Sequence, residues 1–192
     1  MNAFENWFCA SGLWRYVTRR KWLPWLLEGT SLGDYVLEVG AGPGAATAEL
    51  ARRTRRVTSL EYSHEFCVRL RAKTGAAGTV GAGNIVQGDA SALPFADGTF
   101  SGAIAVLVLH HLRSVDAQDR ALKEIHRVLR PGGIFVALEI HDGWLSRVAH
   151  IRSTFVPVTL EGARERLGAA GFSGASAESG HGAMRLRATR PA

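Results

Sequence analysis

The sequence predicts an α/β protein built on a mostly parallel sheet, and three observations carry that expectation. Short apolar runs alternate with helical patterns from residue 35 onward, the signature of repeated βαβ units. One of these runs, "AIAVLVL" at 103–109, is apolar without alternation, as suits a strand covered on both faces. A glycine-rich turn, "GAGPG" at 40–44, directly follows the first run.

Taken in order, "YVLEV" is the first strand, and a helix is expected from near Pro43 through "AATAELARR". "RVTSLEY" (56–62) reads as the second strand. The next helix has Ser63 as its cap and Phe66, Cys67 and Leu70 on one face. "GNIVQGDA" (83–90) is a short third strand after a Gly/Ala-rich loop, and "SGAIAVLVLHH" (101–111) is a fourth. In "DAQDRALKEIHRVL", Ala121, Leu122, Ile125, Val128 and Leu129 form one apolar helical stripe. "RPGG" ends it, and "IFVALEI" (134–140) is the fifth strand. Thr159 can cap a last helix with Leu160, Ala163 and Leu167 inward, ended by Gly171. "FSGASAES" and "AMRLRATR" flank "GHG" as a closing antiparallel hairpin.

The 192 residues suit one domain, with residues 31–192 as core and 1–30 as an appendage too short to fold alone. That appendage carries Trp7, Trp14, Trp22 and Trp25 together with Arg15, Arg19, Arg20 and Lys21. Three readings are open for it: a helical lid over a ligand pocket, an amphipathic contact with anionic lipid, or packing alone. No apolar run is long enough to cross a bilayer, and no signal-peptide pattern precedes the core. Cys9 and Cys67, without CxxC or metal-like spacing, read as reduced thiols, and a cytoplasmic location is expected. The net charge of +6 raises nucleic acid as a partner, but the basic residues are scattered. The runs "RRTRR" and "RLRAK" also sit at helix ends, where positive charge complements the dipole.

In an open α/β sheet, ligands bind beyond the carboxyl ends of the strands. Those ends collect Glu38, Gly40, Ala41, Gly42 and Gly44; Glu61 and Tyr62; Asp89 and Ala90; Leu109, His110 and His111; and Glu139, His141 and Asp142. Glu61 lies 21 residues beyond Gly40, where an acid can accept both hydroxyls of a ribose. No GK[ST] follows the glycines, which excludes a Walker A loop, and no Tyr-x-x-x-Lys pair exists for a short-chain dehydrogenase. Glu38, ahead of the glycines, favours a cationic ligand over a pyrophosphate, and Asp89 can accept from an adenine amine. Together these residues favour S-adenosylmethionine over a dinucleotide.

The segments "VLEVGAGPG", "LEYS", "GDASALPFADGTFSGAIAVLVLHHL" and "EIHRVLRPGGIFV" cover most of residues 35–137. In order and spacing they resemble class I S-adenosylmethionine-dependent methyltransferases of the ubiquinone/menaquinone-biosynthesis type. The resemblance implies a Rossmann-like sheet of seven strands, order 3-2-1-4-5-7-6, with the last strand antiparallel. It also implies a cofactor site of Glu38, Gly40, Ala41, Gly42, Gly44, Glu61, Asp89, Ala90, Val106 and Leu107, to which Tyr62 is added as a neighbour of Glu61. His110, His111 and His141 are the candidate bases, although the family commonly carries the "LHHL" pair without a general catalytic role. No metal is expected: Glu139, His141 and Asp142 lack a companion aspartate after the fourth strand. The expected acceptor is a small molecule, because no Asn/Asp-Pro-Pro-aromatic motif and no Pro-Cys nucleophile is present. RNA or protein methylation and non-catalytic cofactor binding are the alternatives.

Overall fold

In the computed structural model, which describes residues 3–76 and 84–192, one seven-stranded sheet is covered by helices on both faces. The chain opens with α1 (Ala3–Ala10), α2 (Gly12–Val17), a π-helical turn and α3 (Leu23–Leu26). The alternating part comprises β1 (Tyr35–Val39), α4 (Thr47–Arg53), β2 (Arg56–Glu61), α5 (His64–Ala76), β3 (Ile85–Gln87) and β4 (Phe100–Val106). It continues through α6 (Val115–Val128), β5 (Leu129–Glu139), α7 (Trp144–Ala149) and α8 (Leu160–Ala169) to β6 (Ser173–Gly180) and β7 (Ala183–Thr189). The strand order is β3-β2-β1-β4-β5-β7-β6, with β7 antiparallel to both neighbours, as expected. The Gly/Ala-rich loop before β3 lies outside the described residues.

The pleat of the central strands divides the core. Leu37, Val39, Ala103, Ala105, Phe135 and Ala137 meet α6 and α8 on one face. Val36, Ile104, Val136 and Leu138 meet α3 and α4 on the other. Leu23 and Leu26 are fully buried there, so this part of the N-terminal segment is a packed element of the sheet's cover. It is also tied to the closing hairpin: the Trp22 indole donates to the His181 carbonyl, and the Arg187 guanidinium donates to the Glu28 carbonyl. In contrast, Trp7, Leu13 and Tyr16 are about two-thirds exposed, at 68%, 64% and 64%.

Four boundaries differ from the sequence expectation. Helix α4 starts at Thr47 rather than near Pro43, because Gly44 takes φ +85°, outside the helical region. Strand β4 stops at Val106 rather than His111: Leu107 adopts φ +60°, and residues 109–111 form a 3-10 turn. Strand β5 starts at Leu129, since "RPGG" pairs irregularly alongside β4 instead of forming a separate turn. Helix α7 lies in a stretch to which no element was assigned. The remaining caps follow the sequence: Ser114 and Thr159 accept the amides of Ala117 and Gly162. The β6–β7 turn places His181 and Gly182 at positive φ, the two-residue geometry that matches strand twist.

Candidate cofactor and methyl-transfer site

Glu38 sits in β1 directly opposite Ser59 in β2, so both side chains project to the same face. One carboxylate oxygen of Glu38 accepts from Ser59 Oγ at 2.6 Å and from Thr47 Oγ1, in the first turn of α4, at 2.7 Å. The carboxyl is fully buried, and that burial pushes its pKa up, with the charge of Glu61 adding to the effect. Glu38 thus ties β1, β2 and the start of α4 together behind the glycine turn.

The turn itself is held from within. Gly40 and Ala41 donate their amides to the Leu60 carbonyl, and Gly44 donates to Ala41. Gly42 donates to Glu61 Oε2 at 2.8 Å, while the other oxygen of Glu61 accepts from the Ser63 amide at 2.8 Å. Of residues 40–44, four therefore use their N–H groups inside the protein, and Pro43 has none. A phosphate-binding turn needs such groups pointing at the ligand. This turn presents two carboxylates and no amides, the reverse of a pyrophosphate site.

The glycines serve different ends. A Cβ on Gly40 (φ +68°) would come within 2.5 Å of Val108, and one on Gly44 would come within 2.5 Å of Leu70. Gly42, at φ +52°, faces open space. It lies beside Glu61, which is 8% exposed. Asp89 is exposed, and one of its oxygens accepts both the amide and the hydroxyl of Ser91 at 2.8 Å. Ala90 is buried next to it. Tyr62 is 65% exposed, and its hydroxyl accepts from Arg113. Val106 and Leu107 are half-buried, and Leu107 donates its amide to the Leu138 carbonyl despite its left-handed backbone. A non-glycine residue with positive φ at the end of a central strand is local strain held by its surroundings.

Beyond β4, the fully buried Glu139 organises the chain. One of its oxygens accepts the amides of Val108 and Leu109, and the other faces His110 Nδ1 at 2.5 Å. A carboxylate can only accept, so Nδ1 carries the proton and Nε2 the lone pair. Gln118 of α6 donates to the carbonyls of Leu109 and Val156, and the Val156 amide donates to the His110 carbonyl. His111 packs against His110, and burial, followed by the charges of His110 and His150, pushes its pKa down to about 3. His141 is exposed and set apart from this group, and Asp142 is occupied by a two-pronged pair with Arg147. The suggested set of Glu139, His141 and Asp142 therefore does not converge. His150, which sequence reasoning missed, does converge with His110 and His111; nothing in its local pattern announced that.

Several cations of the basic runs are paired. Arg52 and Arg53 bind Glu49, and Arg69 binds Glu65. A family model described as a methyltransferase domain matches residues 37–137, more than half of the chain. The chain belongs to that methyltransferase family. It is 36% identical, over 115 residues, to the ubiquinone/menaquinone biosynthesis C-methyltransferase UbiE of Klebsiella pneumoniae. That match covers 58% of this chain and 45% of the relative, so the methyltransferase-family chain spans under half the length of the curated relatives it matches. Among solved structures, a methyltransferase from Aquifex aeolicus superposes with a TM-score of 0.79 over 99% of each chain at 16% identity. Another from Methanosarcina mazei reaches 0.72 over 88% of this chain and 97% of its own at 18% identity. At such identities the likeness is one of fold.

Proposed function

We propose that this chain transfers a methyl group from S-adenosylmethionine to a small, partly apolar acceptor. The observation that carries the reading is the glycine turn: its amides are used internally and its open side is flanked by carboxylates, in a domain of the methyltransferase family. Such a turn suits a cationic, hydroxyl-bearing ligand without phosphate. In this reading Glu61 accepts the ribose hydroxyls through the lone pairs left after its two backbone contacts. Asp89 and Ala90 meet the adenine edge, Gly40 to Gly44 border the methionine portion, and Val106 and Leu107 lie beside it.

The sulfonium supplies an activated leaving group. The protein's part is to align the acceptor in line with the methyl group and to exclude water. Where the acceptor must lose a proton, His110 is the base best held in place, because Glu139 fixes its tautomer and leaves a lone pair on Nε2. The printed name of the Klebsiella pneumoniae relative, a C-methyltransferase of quinone biosynthesis, supports a small acceptor. We assign the lid role to the N-terminal helices. Arg19 lies 3.9 Å from Glu49 of α4, and Arg15 is close enough to Lys73 to lower its pKa. Lys73 in turn donates to the Pro43 carbonyl of the glycine turn.

Calorimetry with S-adenosylhomocysteine tests the cofactor assignment. Wild type is expected to bind, and Glu61→Ala and Asp89→Ala to bind at least about tenfold more weakly, each loss being worth one or two hydrogen bonds. Melting curves verify that the variants are folded. Undiminished affinity in Glu61→Ala would sink the ribose assignment. Transfer of labelled methyl groups into a metabolite extract tests the reaction; tight cofactor binding with no labelled product would favour a non-catalytic role.

A further inference from the structure

The methyl-transfer reading leaves the three clustered histidines unexplained. We propose that His110, His111 and His150 bind one divalent transition-metal ion of the zinc type, at the acceptor side of the site.

The three residues each offer a ring nitrogen, and these atoms all lie within 4.8 Å of one another. Around a tetrahedral zinc ion, with Zn–N bonds of 2.0–2.1 Å, such nitrogens stand about 3.4 Å apart. Modest ring rotations close that difference. The tautomers are already suited to ligation. His110 donates from Nδ1 to Glu139, and His150 donates from Nδ1 to the Ser146 carbonyl at 2.6 Å, so each carries its lone pair on Nε2. His111 Nδ1 is buried without a hydrogen-bond partner, while its ring bonds the Thr154 backbone through the other nitrogen. Metal-bound imidazoles characteristically have the second ring nitrogen held by a carboxylate or carbonyl, which is the case for all three. An aromatic stack explains the ring contacts equally well. It does not explain a polar nitrogen of His111 left buried and unpartnered beside two oriented imidazoles.

Three histidines leave one tetrahedral position for water or substrate, the pattern of a catalytic rather than a purely structural site. With neutral imidazoles and one carboxylate behind them, the bound ion keeps a net positive charge and favours an anionic fourth ligand. Val108, two residues before His110, packs on Gly40, so this position belongs to the same end of the sheet as the glycine turn. The ligand class is therefore an acceptor hydroxyl or thiol, which the ion would hold in its ionised form for attack. That role rests on the methyl-transfer reading; the metal site itself does not.

The test is titration of the chelator-treated full chain with Co²⁺ and then Zn²⁺. The expected result is one Co²⁺ per chain with the visible bands of tetrahedral coordination. The near-ultraviolet thiolate band that Cys9 or Cys67 would add should be missing, and Zn²⁺ should displace the cobalt. His111→Gln and His150→Gln are expected to weaken binding at least about 100-fold, and His64→Ala to leave it unchanged. Zn²⁺ should raise the melting temperature of wild type but not of His150→Gln, a readout that holds even if one variant folds poorly. Binding that is substoichiometric, or as tight in His150→Gln as in wild type, would overturn the proposal. Histidine-dependent, one-to-one binding in a chain that transfers no methyl group would sustain the metal site and count against the methyl-transfer reading instead.

Discussion

Glu38 and the glycines next to it show how single residues in one turn carry separate physical loads. Burial holds the Glu38 pKa above its ordinary value of 4.5, so the folded state keeps a proton that the unfolded chain releases. Stability from this group is fully present below pH 4.5 and declines as pH rises toward the folded pKa. Glu38→Gln should flatten that decline in urea melts taken from pH 4 upward; an unchanged pH profile would count against it. Gly40→Ala meets both a left-handed backbone and Val108, and should cost about 3 kcal/mol from strain plus overpacking. Gly42→Ala meets only the backbone cost of about 1–2 kcal/mol. Its Cβ would nevertheless project into the open side of the turn, so cofactor affinity should fall by more than stability does. Parallel urea denaturation and calorimetry separate the two effects.

At the scale of elements, Arg127 of α6 fastens the loop between β3 and β4 to the body of the protein. Its guanidinium binds Glu124 and Asp97 and donates to the carbonyls of Leu93 and Phe95. Both acids hold its pKa above the usual guanidinium range. Arg127→Ala should cost about 2–3 kcal/mol, the worth of hydrogen bonds to a charged group, and should loosen the loop that carries Asp89. Hydrogen exchange across residues 89–99 would register that loosening. The N-terminal segment divides within itself. Leu26→Ala should cost about 2–5 kcal/mol by leaving a cavity under the sheet. Removing residues 1–17, whose Leu13 and Tyr16 are exposed, should leave cooperative unfolding intact. If these helices are a lid, the truncated chain should lose methyl transfer while still binding S-adenosylhomocysteine.

Across the whole molecule, a net charge of +6 is dispersed among ion pairs that cap helices and brace loops. Binding to RNA should therefore be weak at physiological salt; retention that falls steeply with added salt would reopen the nucleic-acid reading. The order of seven strands and the identity of the sheet's two faces follow from patterns visible along the chain. Periodicity reports burial, burial assigns the faces, and right-handed crossovers order the parallel strands.

By itself, the sequence determined the alternation of elements, the stripe on α6, the helix caps and the acids at the strand ends. Each of these is a local property, repeated at the spacing of a strand or a helix. Only the tertiary structure decided that Gly44 delays α4 and that Leu107 cuts β4 short. Likewise, only folding turns Glu61 back onto its own glycine turn and brings His150 to His110 and His111. Such contacts join residues tens of positions apart, and no local pattern encodes which distant side chain will meet a given ring nitrogen or amide.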